Sequence, residues 1–186
     1  MIFQKPSLRT RVSFDMAMRH MGGDALYPSP NEIGLGKREA ISDIARVLSG
    51  YVHILMARVF EHEHVLELAK WSSIPVINGL SDYNQPCQGM ADALTNQERF
   101  GEAKGLNVTF VGDDNNVAVS LMHASAQLGW NFTLASPEGY NLTPKAIEIA
   151  QKIGAKTGSQ FKFIRDPHEA GKGAHVIYTD TWTSIG

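Results

Sequence analysis

The sequence predicts an α/β protein of two parallel-sheet βαβ domains, and three observations carry that reading. Short apolar runs of strand character alternate with helical stripes along the chain, the pattern of βαβ units around a parallel sheet. The alternation pauses once, at Gly101 to Gly105, which separates residues 1–101 from residues 102–186. Polar clusters follow the strand signals, at the carboxyl ends where open α/β sheets bind ligands.

The elements follow in order. Residues 12–21 contain neither Pro nor Gly and carry Val12, Met16 and Met18, which reads as a helix with Ser7 as its N-cap. Ile41, Ile44, Ala45 and Leu48 recur at i, i+3, i+4, i+7, one face of a second helix. Residues 52–59 are a buried-strand candidate holding Arg58 near its end, and Val65, Leu66, Leu68 and Ala69 begin the next helix. Residues 74–77 read as a short strand closed by an Asn78-Gly79 turn. Pro86 fits a first helical turn, with helix over 88–99. Residues 106–111 read as a buried strand stopped by Gly112-Asp113-Asp114. A helix from Asn115 follows, with Val117, Leu121, Ala124 and Leu128 on one face. Residues 132–135 are a strand, Ala146, Ile149, Ala150 and Ile153 mark another helix, and residues 161–164 and 176–178 are the last strands.

Composition narrows the class. With 43% hydrophobic and 19% charged residues the chain reads as globular. A net charge of -2 with no long basic run argues against a nucleic-acid partner. No apolar stretch is long enough to span a bilayer, and the first residues do not resemble a signal peptide. Cys87 is the single cysteine, so no intrachain disulfide forms and a reducing, cytoplasmic setting is the expectation.

The first polar cluster is Ser7-Leu8-Arg9-Thr10-Arg11. Arg9 and Arg11 are always charged, planar donors suited to phosphate oxygens. Ser7 and Thr10 add hydroxyls at a helix N-terminus, where free N–H groups and the dipole favour an anion. Plainer readings stand beside the functional ones. Arg9 and Arg58 also suit ion pairs, Gln85 suits a turn before Pro86, and Asp180 suits a strand end. Asp113 and Asp114 suit helix N-capping. Cys87, near a helix start, is either packed or carries a lowered pKa. His62 and His64 are too close along a helix to share a metal and read as an exposed face.

Taken together, these clusters resemble a known family. Phe3-x-Lys5-Pro6-Ser7-x-Arg9-Thr10-Arg11-Val12-Ser13-Phe14 resembles the carbamoyl-phosphate motif of the aspartate/ornithine carbamoyltransferase superfamily. Gly79-Leu80-Ser81-Asp82, Gln85-Pro86-Cys87-Gln88 and Ala91-Asp92-x-Leu94-Thr95 resemble its ornithine branch. Val111-Gly112-Asp113-x-Asn115-Asn116-Val117 and Thr179-Asp180-Thr181-Trp182-x-Ser184 do so as well.

The resemblance implies two parallel-sheet domains of the carbamoyltransferase type, the first for carbamoyl phosphate and the second for ornithine. It implies transfer of the carbamoyl group to the δ-amine of ornithine, giving citrulline and phosphate in arginine metabolism. It implies no metal or other cofactor, and a homo-oligomer, a trimer in the family. Ser7, Leu8 through its backbone, Arg9 and Thr10 are assigned to the phosphate. Arg58 falls to the phosphate and carbamoyl oxygens, and Gln85 and Gln88 to the carbamoyl group. Asn116, Asp180, Ser184 and Ile185 are assigned to ornithine, Asp180 taking its α-ammonium.

Departures from the pattern are specific. Leu8 stands where the family usually has Thr, Gln85 where it has His, and Ile185 where it has Met. Gly34 stands where the family places a Gln or His that reaches into the neighbouring subunit. By the same resemblance an N-terminal segment is expected before Phe3 and further chain after Gly186, leaving the second domain incomplete. The alternative expectation is a fragment or inactive homologue that keeps only carbamoyl-phosphate binding or an assembly role.

Overall fold

A computed structural model describes residues 1–102 and 104–181. The chain forms two compact units, Met1–Tyr83 and the remainder from Asn84. Each is an α/β unit around its own parallel sheet.

The first unit contains β1 (Ile2–Phe3), α1 (Leu8–His20), α2 (Pro30–Ile33), α3 (Ile41–Ser49), β2 (Leu55–Arg58), α4 (His62–Trp71) and β3 (Val76–Leu80). Its sheet order is β1-β2-β3, with Phe3 opposite Arg58 and Arg58 opposite Leu80. The core gathers Ile2 from β1, Ile41, Ile44 and Ala45 from α3, Ala57 from β2, and Val65 and Leu68 from α4. The apolar stripe read from the sequence is thus the buried face of α3.

Three features of this unit differ from expectation. The strand begins at Leu55 rather than Val52, because Val52 N–H still caps α3 by donating to the Leu48 carbonyl at 3.0 Å. Strand β1 is too short for any periodicity to show. Asn78-Gly79 does not turn the chain but lies inside β3. The glycine is there for close approach: a Cβ on Gly79 would sit 2.5 Å from Met56 Sδ and 3.3 Å from the Ala57 carbonyl oxygen.

The second unit contains α5 (Pro86–Phe100), β4 (Asn107–Val111), α6 (Asn116–Leu128), β5 (Asn131–Ala135), α7 (Pro144–Thr157), β6 (Phe161–Ile164), α8 (Pro167–Gly171) and β7 (Val176–Tyr178). Helix α8 carries no apolar stripe. Its marks are an Asp166 N-cap, which accepts from His168 N–H at 2.8 Å, and Pro167 in the first turn. Helix α5 packs on α6, and the Gln85 N–H donates to Ser120 Oγ at 2.7 Å. It therefore groups with the second sheet, although the pause in the sequence pattern falls after it.

That sheet runs β6-β5-β4-β7, all parallel. The chain steps outward from β4 to β5 to β6, then returns to lay β7 on the other side of β4. The reversal makes a topological switch point between β4 and β7, where open α/β sheets leave a crevice. Phe110, Phe132, Leu134, Leu121 and Met122 fill the core beneath it.

Candidate functional site

Two clusters occupy the carboxyl ends of the two sheets. In the first unit, β1 leads into α1 and Arg58 is the last residue of β2, so the helix start and the arginine share one sheet end. Ser7 caps α1 with extended backbone, and the Thr10 N–H donates to Ser7 Oγ at 3.4 Å. The Ser7 hydroxyl donates to Thr10 Oγ1 at 3.0 Å, and Arg58 Nη1 donates to the same Thr10 Oγ1 at 3.3 Å. The first turn of α1 holds no acidic residue, while Arg19 and His20 lie in its last turn. Its positive end is thus left without a carboxylate.

Arg58 is the informative member. Its guanidinium is half-buried, and burial pulls its pKa down from the ordinary value. Its Nε is buried, and among the described residues it has no hydrogen-bond partner and no salt bridge takes Arg58 or Arg9. A desolvated cation normally has a counter-charge or a full set of acceptors. Here it faces hydroxyls and the positive end of a helix. An anion placed there would satisfy all three. Arg9 is exposed in the first turn of α1, as is Leu8, whose apolar side chain has no hydrogen bond to give Ser7, Thr10 or Arg58. Arg11 is employed elsewhere: its guanidinium stacks on Tyr27, 4.0 Å from the ring centroid.

In the second unit a cavity of about 160 Å³ opens at the switch point. Gly112, Asp113 and Asn115 line it from the end of β4, Pro137 and Tyr140 from beyond β5, and Asp180 and Thr181 from beyond β7. Asn115 joins the two sides. Its Oδ1 accepts from Val117 and Ala118 N–H at 2.9 and 3.0 Å, capping α6, while its Nδ2 donates to Asp180 Oδ2 at 3.2 Å. The cap is therefore Asn115, not Asp113 or Asp114. The side chain that holds Asp180 went unrecognised in the sequence, although an Asn directly before an apolar helical stripe is a capping signal. Asn116 is the first residue of α6. Ser184 and Ile185 lie outside the described residues.

Gln85 and Gln88 stand at the start of α5. Gln85 occupies the N-cap position of α5 just before Pro86, as the turn reading has it, but its side chain makes no cap bond; its backbone N–H is the tethered group. Gln88 Nε2 donates to Asp92 Oδ1 at 2.9 Å. Burial pushes the Asp92 carboxyl up, and the Gln88 hydrogen bond opposes the shift. Burial also pushes the Cys87 thiol up, against the reading of a reactive thiolate.

Other motif residues brace the fold. Asp82 Oδ1 accepts the His62 N–H at 2.9 Å and so caps α4 from the loop after β3. A His62 ring nitrogen pairs with Ser81 Oγ at 2.9 Å, and His64 Nδ1 with Gln4 Oε1 at 3.3 Å. These histidines are half-buried and engaged, not an exposed face. Among the described residues no group of three or more His, Cys, Asp or Glu could hold a metal, and no helix is long and apolar enough to cross a membrane.

Comparison with known proteins gives the family. The family model for the aspartate/ornithine carbamoyltransferase carbamoyl-P binding domain matches residues 1–98, and that for the Asp/Orn binding domain matches residues 104–186. The chain belongs to the aspartate/ornithine carbamoyltransferase family. An ornithine carbamoyltransferase of Pyrococcus abyssi is 53% identical over the whole chain, which covers 59% of that relative's length. The solved ornithine carbamoyltransferase from Pyrococcus furiosus superposes with a TM-score of 0.96 at 52% identity, over 100% of this chain and 59% of that one. A solved N-acetyl-L-ornithine transcarbamylase is more distant, at 28% identity and a TM-score of 0.87, covering 97% of this chain and 64% of its own. The chain therefore spans about three-fifths of the length of these carbamoyltransferases.

Proposed function

We propose that this carbamoyltransferase-family chain transfers the carbamoyl group of carbamoyl phosphate to the δ-amine of ornithine, giving citrulline and phosphate. The observation that carries the reading is the half-buried Arg58, paired with no carboxylate among the described residues and aimed at Thr10 on the N-terminus of α1. In this reading residues 1–101 bind carbamoyl phosphate and residues 102–186 bind ornithine. Ser7, Arg9, Thr10, Arg58 and the Leu8 backbone take the phosphate. Gln85 and Gln88 take the carbamoyl group, with the Gln85 amide standing where relatives use an imidazole. Asn116 and Asp180 take the amino-acid end of ornithine, together with Ser184 and Ile185.

The chemistry asks for binding and fixed charge. The uncharged amine attacks the carbonyl carbon, the new C–N bond forms, the C–O bond to phosphate breaks, and the amine loses a proton. Negative charge grows on the carbonyl oxygen and the leaving phosphate, where preorganised donors lower the barrier. Holding both substrates in register supplies a further share. The reading invokes no metal or cofactor. It includes the family's homotrimer and a cytoplasmic location.

A second reading, carbamoyl-phosphate binding with little turnover, is favoured by one observation. Gly34 ends α2 in left-handed backbone, φ 53° and ψ 43°, with no side chain to offer a neighbouring subunit. Titration calorimetry with carbamoyl phosphate, and product formation with ornithine, giving citrulline, or with N-acetyl-L-ornithine, giving N-acetyl-L-citrulline, test both. Saturable binding with citrulline supports the first reading, and binding without product supports the second. Absence of carbamoyl-phosphate binding contradicts both.

A further inference from the structure

Gln88 and Asp92 lie one helical turn apart on α5, joined by the Nε2 to Oδ1 hydrogen bond of 2.9 Å. Such i, i+4 pairs occur on exposed helices, where they add a little to helix stability. Asp92 is not on such a face. It is half-buried, and its second oxygen, Oδ2, is buried with no hydrogen-bond partner among the described residues. It lies close enough to Tyr178, at the end of β7, for its charge to act on that hydroxyl. A surface pair would leave Oδ2 in water. Here a carboxylate is kept out of water beside Gln88, a cost that helix formation does not require.

The chemistry of the pair settles which way the glutamine faces. An ionised carboxylate only accepts hydrogen bonds, whereas a glutamine amide has a donating end and an accepting end. Against Asp92, Gln88 must turn its NH₂ inward, and its Oε1 is then the end left to meet a ligand. We propose that Asp92 is a positioning residue: it holds the Gln88 amide with its carbonyl oxygen presented to a ligand N–H, so that Gln88 reads the NH₂ of the carbamoyl group. The inference rests on the assignment of Gln88 to that group. It deepens the assignment by giving the site a chemical filter. Acetyl phosphate has the same phosphate and carbonyl but a methyl in place of the NH₂, and it offers a bare acceptor nothing. A site built to pair a substrate N–H rejects the analogue that lacks it.

The test compares the affinities of carbamoyl phosphate, acetyl phosphate and inorganic phosphate for the unmodified chain and for Asp92→Leu, Asp92→Asn and Gln88→Ala. Leucine is close in shape and leaves no buried charge behind; Asp92→Ala serves in its place if that variant does not fold. The unmodified chain should prefer carbamoyl phosphate over acetyl phosphate by about tenfold, one well-made hydrogen bond in affinity. Asp92→Leu should bring the two to near parity with inorganic phosphate unchanged. Asp92→Asn, whose Oδ1 still accepts, should restore most of the preference. If Gln88→Ala loses the preference while Asp92→Leu keeps it, the positioning role is overturned and the assignment of Gln88 stands. If Gln88→Ala keeps the preference, the assignment of Gln88 fails and the inference with it.

Discussion

Arg58 at the end of β2 and Thr10 in the first turn of α1 are 48 residues apart in sequence, and the arginine Nη1 donates to the threonine hydroxyl at 3.3 Å. The contact brings a fixed cation to the positive end of a helix. That arrangement is unfavourable for the empty protein and favourable once an anion lies between the two.

Thr10→Val keeps the volume and removes the hydroxyl that Ser7 and Arg58 share. Phosphate affinity should fall roughly tenfold, the loss of one charge-assisted hydrogen bond of ~1.5 kcal/mol. Unfolding stability should change by less than ~1 kcal/mol, because the exposed start of α1 contributes no fully buried residue. Calorimetry with inorganic phosphate beside urea unfolding reads both quantities. A large stability loss with unchanged affinity contradicts the assignment.

Asn115→Ala removes the cap of α6 and releases Asp180. It should cost about 1 kcal/mol in unfolding free energy. Asn115→Asp keeps the cap but sets two carboxylates against each other, so it should hold more stability than the alanine variant while weakening amino-acid binding. Equal stability for all three proteins would contradict the capping role.

Gly79→Ala tests why an Asn-Gly pair runs through a strand. The added Cβ meets Met56 Sδ and the Ala57 carbonyl, which must move. Destabilisation of about 1–3 kcal/mol by overpacking is expected. If Asn78-Gly79 were a turn instead, the substitution would be judged by backbone conformation alone. Met56→Ala combined with Gly79→Ala should then recover none of the loss, whereas close packing predicts partial recovery.

Tyr178 sets an alkaline limit. Burial, then Asp92, then Asp180 push its hydroxyl from 10.0 up to about 12. The folded state therefore holds the proton more tightly than the unfolded chain does. The stability linked to Tyr178 is complete below pH 10 and is lost as pH rises from 10 towards 12. Tyr178→Phe should flatten that part of the stability profile, measured by urea midpoints across the range. An unaltered alkaline slope would show that other groups set it.

The helices and strands were legible wherever a stripe or an apolar run was long enough to repeat. Ile41, Ile44 and Ala45 are read from spacing and are buried as read. Elements without periodicity were not seen. Strand β1 has two residues, and α2 and α8 have four and five. Yet α2 carries a Ser29-Pro30-x-Glu32 capping box, a signal present in the sequence and passed over. Asn78-Gly79 misled because a turn dipeptide and a close-packing glycine look alike until the neighbouring strand is known. The site was legible as residue types at strand ends. Its contacts were not: Arg58 with Thr10 and Asn115 with Asp180 join residues 48 and 65 positions apart. Only the parallel crossovers bring such pairs together.

We propose that Arg58 and the start of α1 bind the phosphate of carbamoyl phosphate. Titration calorimetry of carbamoyl phosphate into the unmodified chain and into Arg58→Gln tests it most directly. Saturable binding should be seen, displaced by inorganic phosphate and weakened at least about tenfold by the substitution, the worth of one charged contact in affinity. Binding of equal strength in both proteins, or no binding to the unmodified chain, would contradict it.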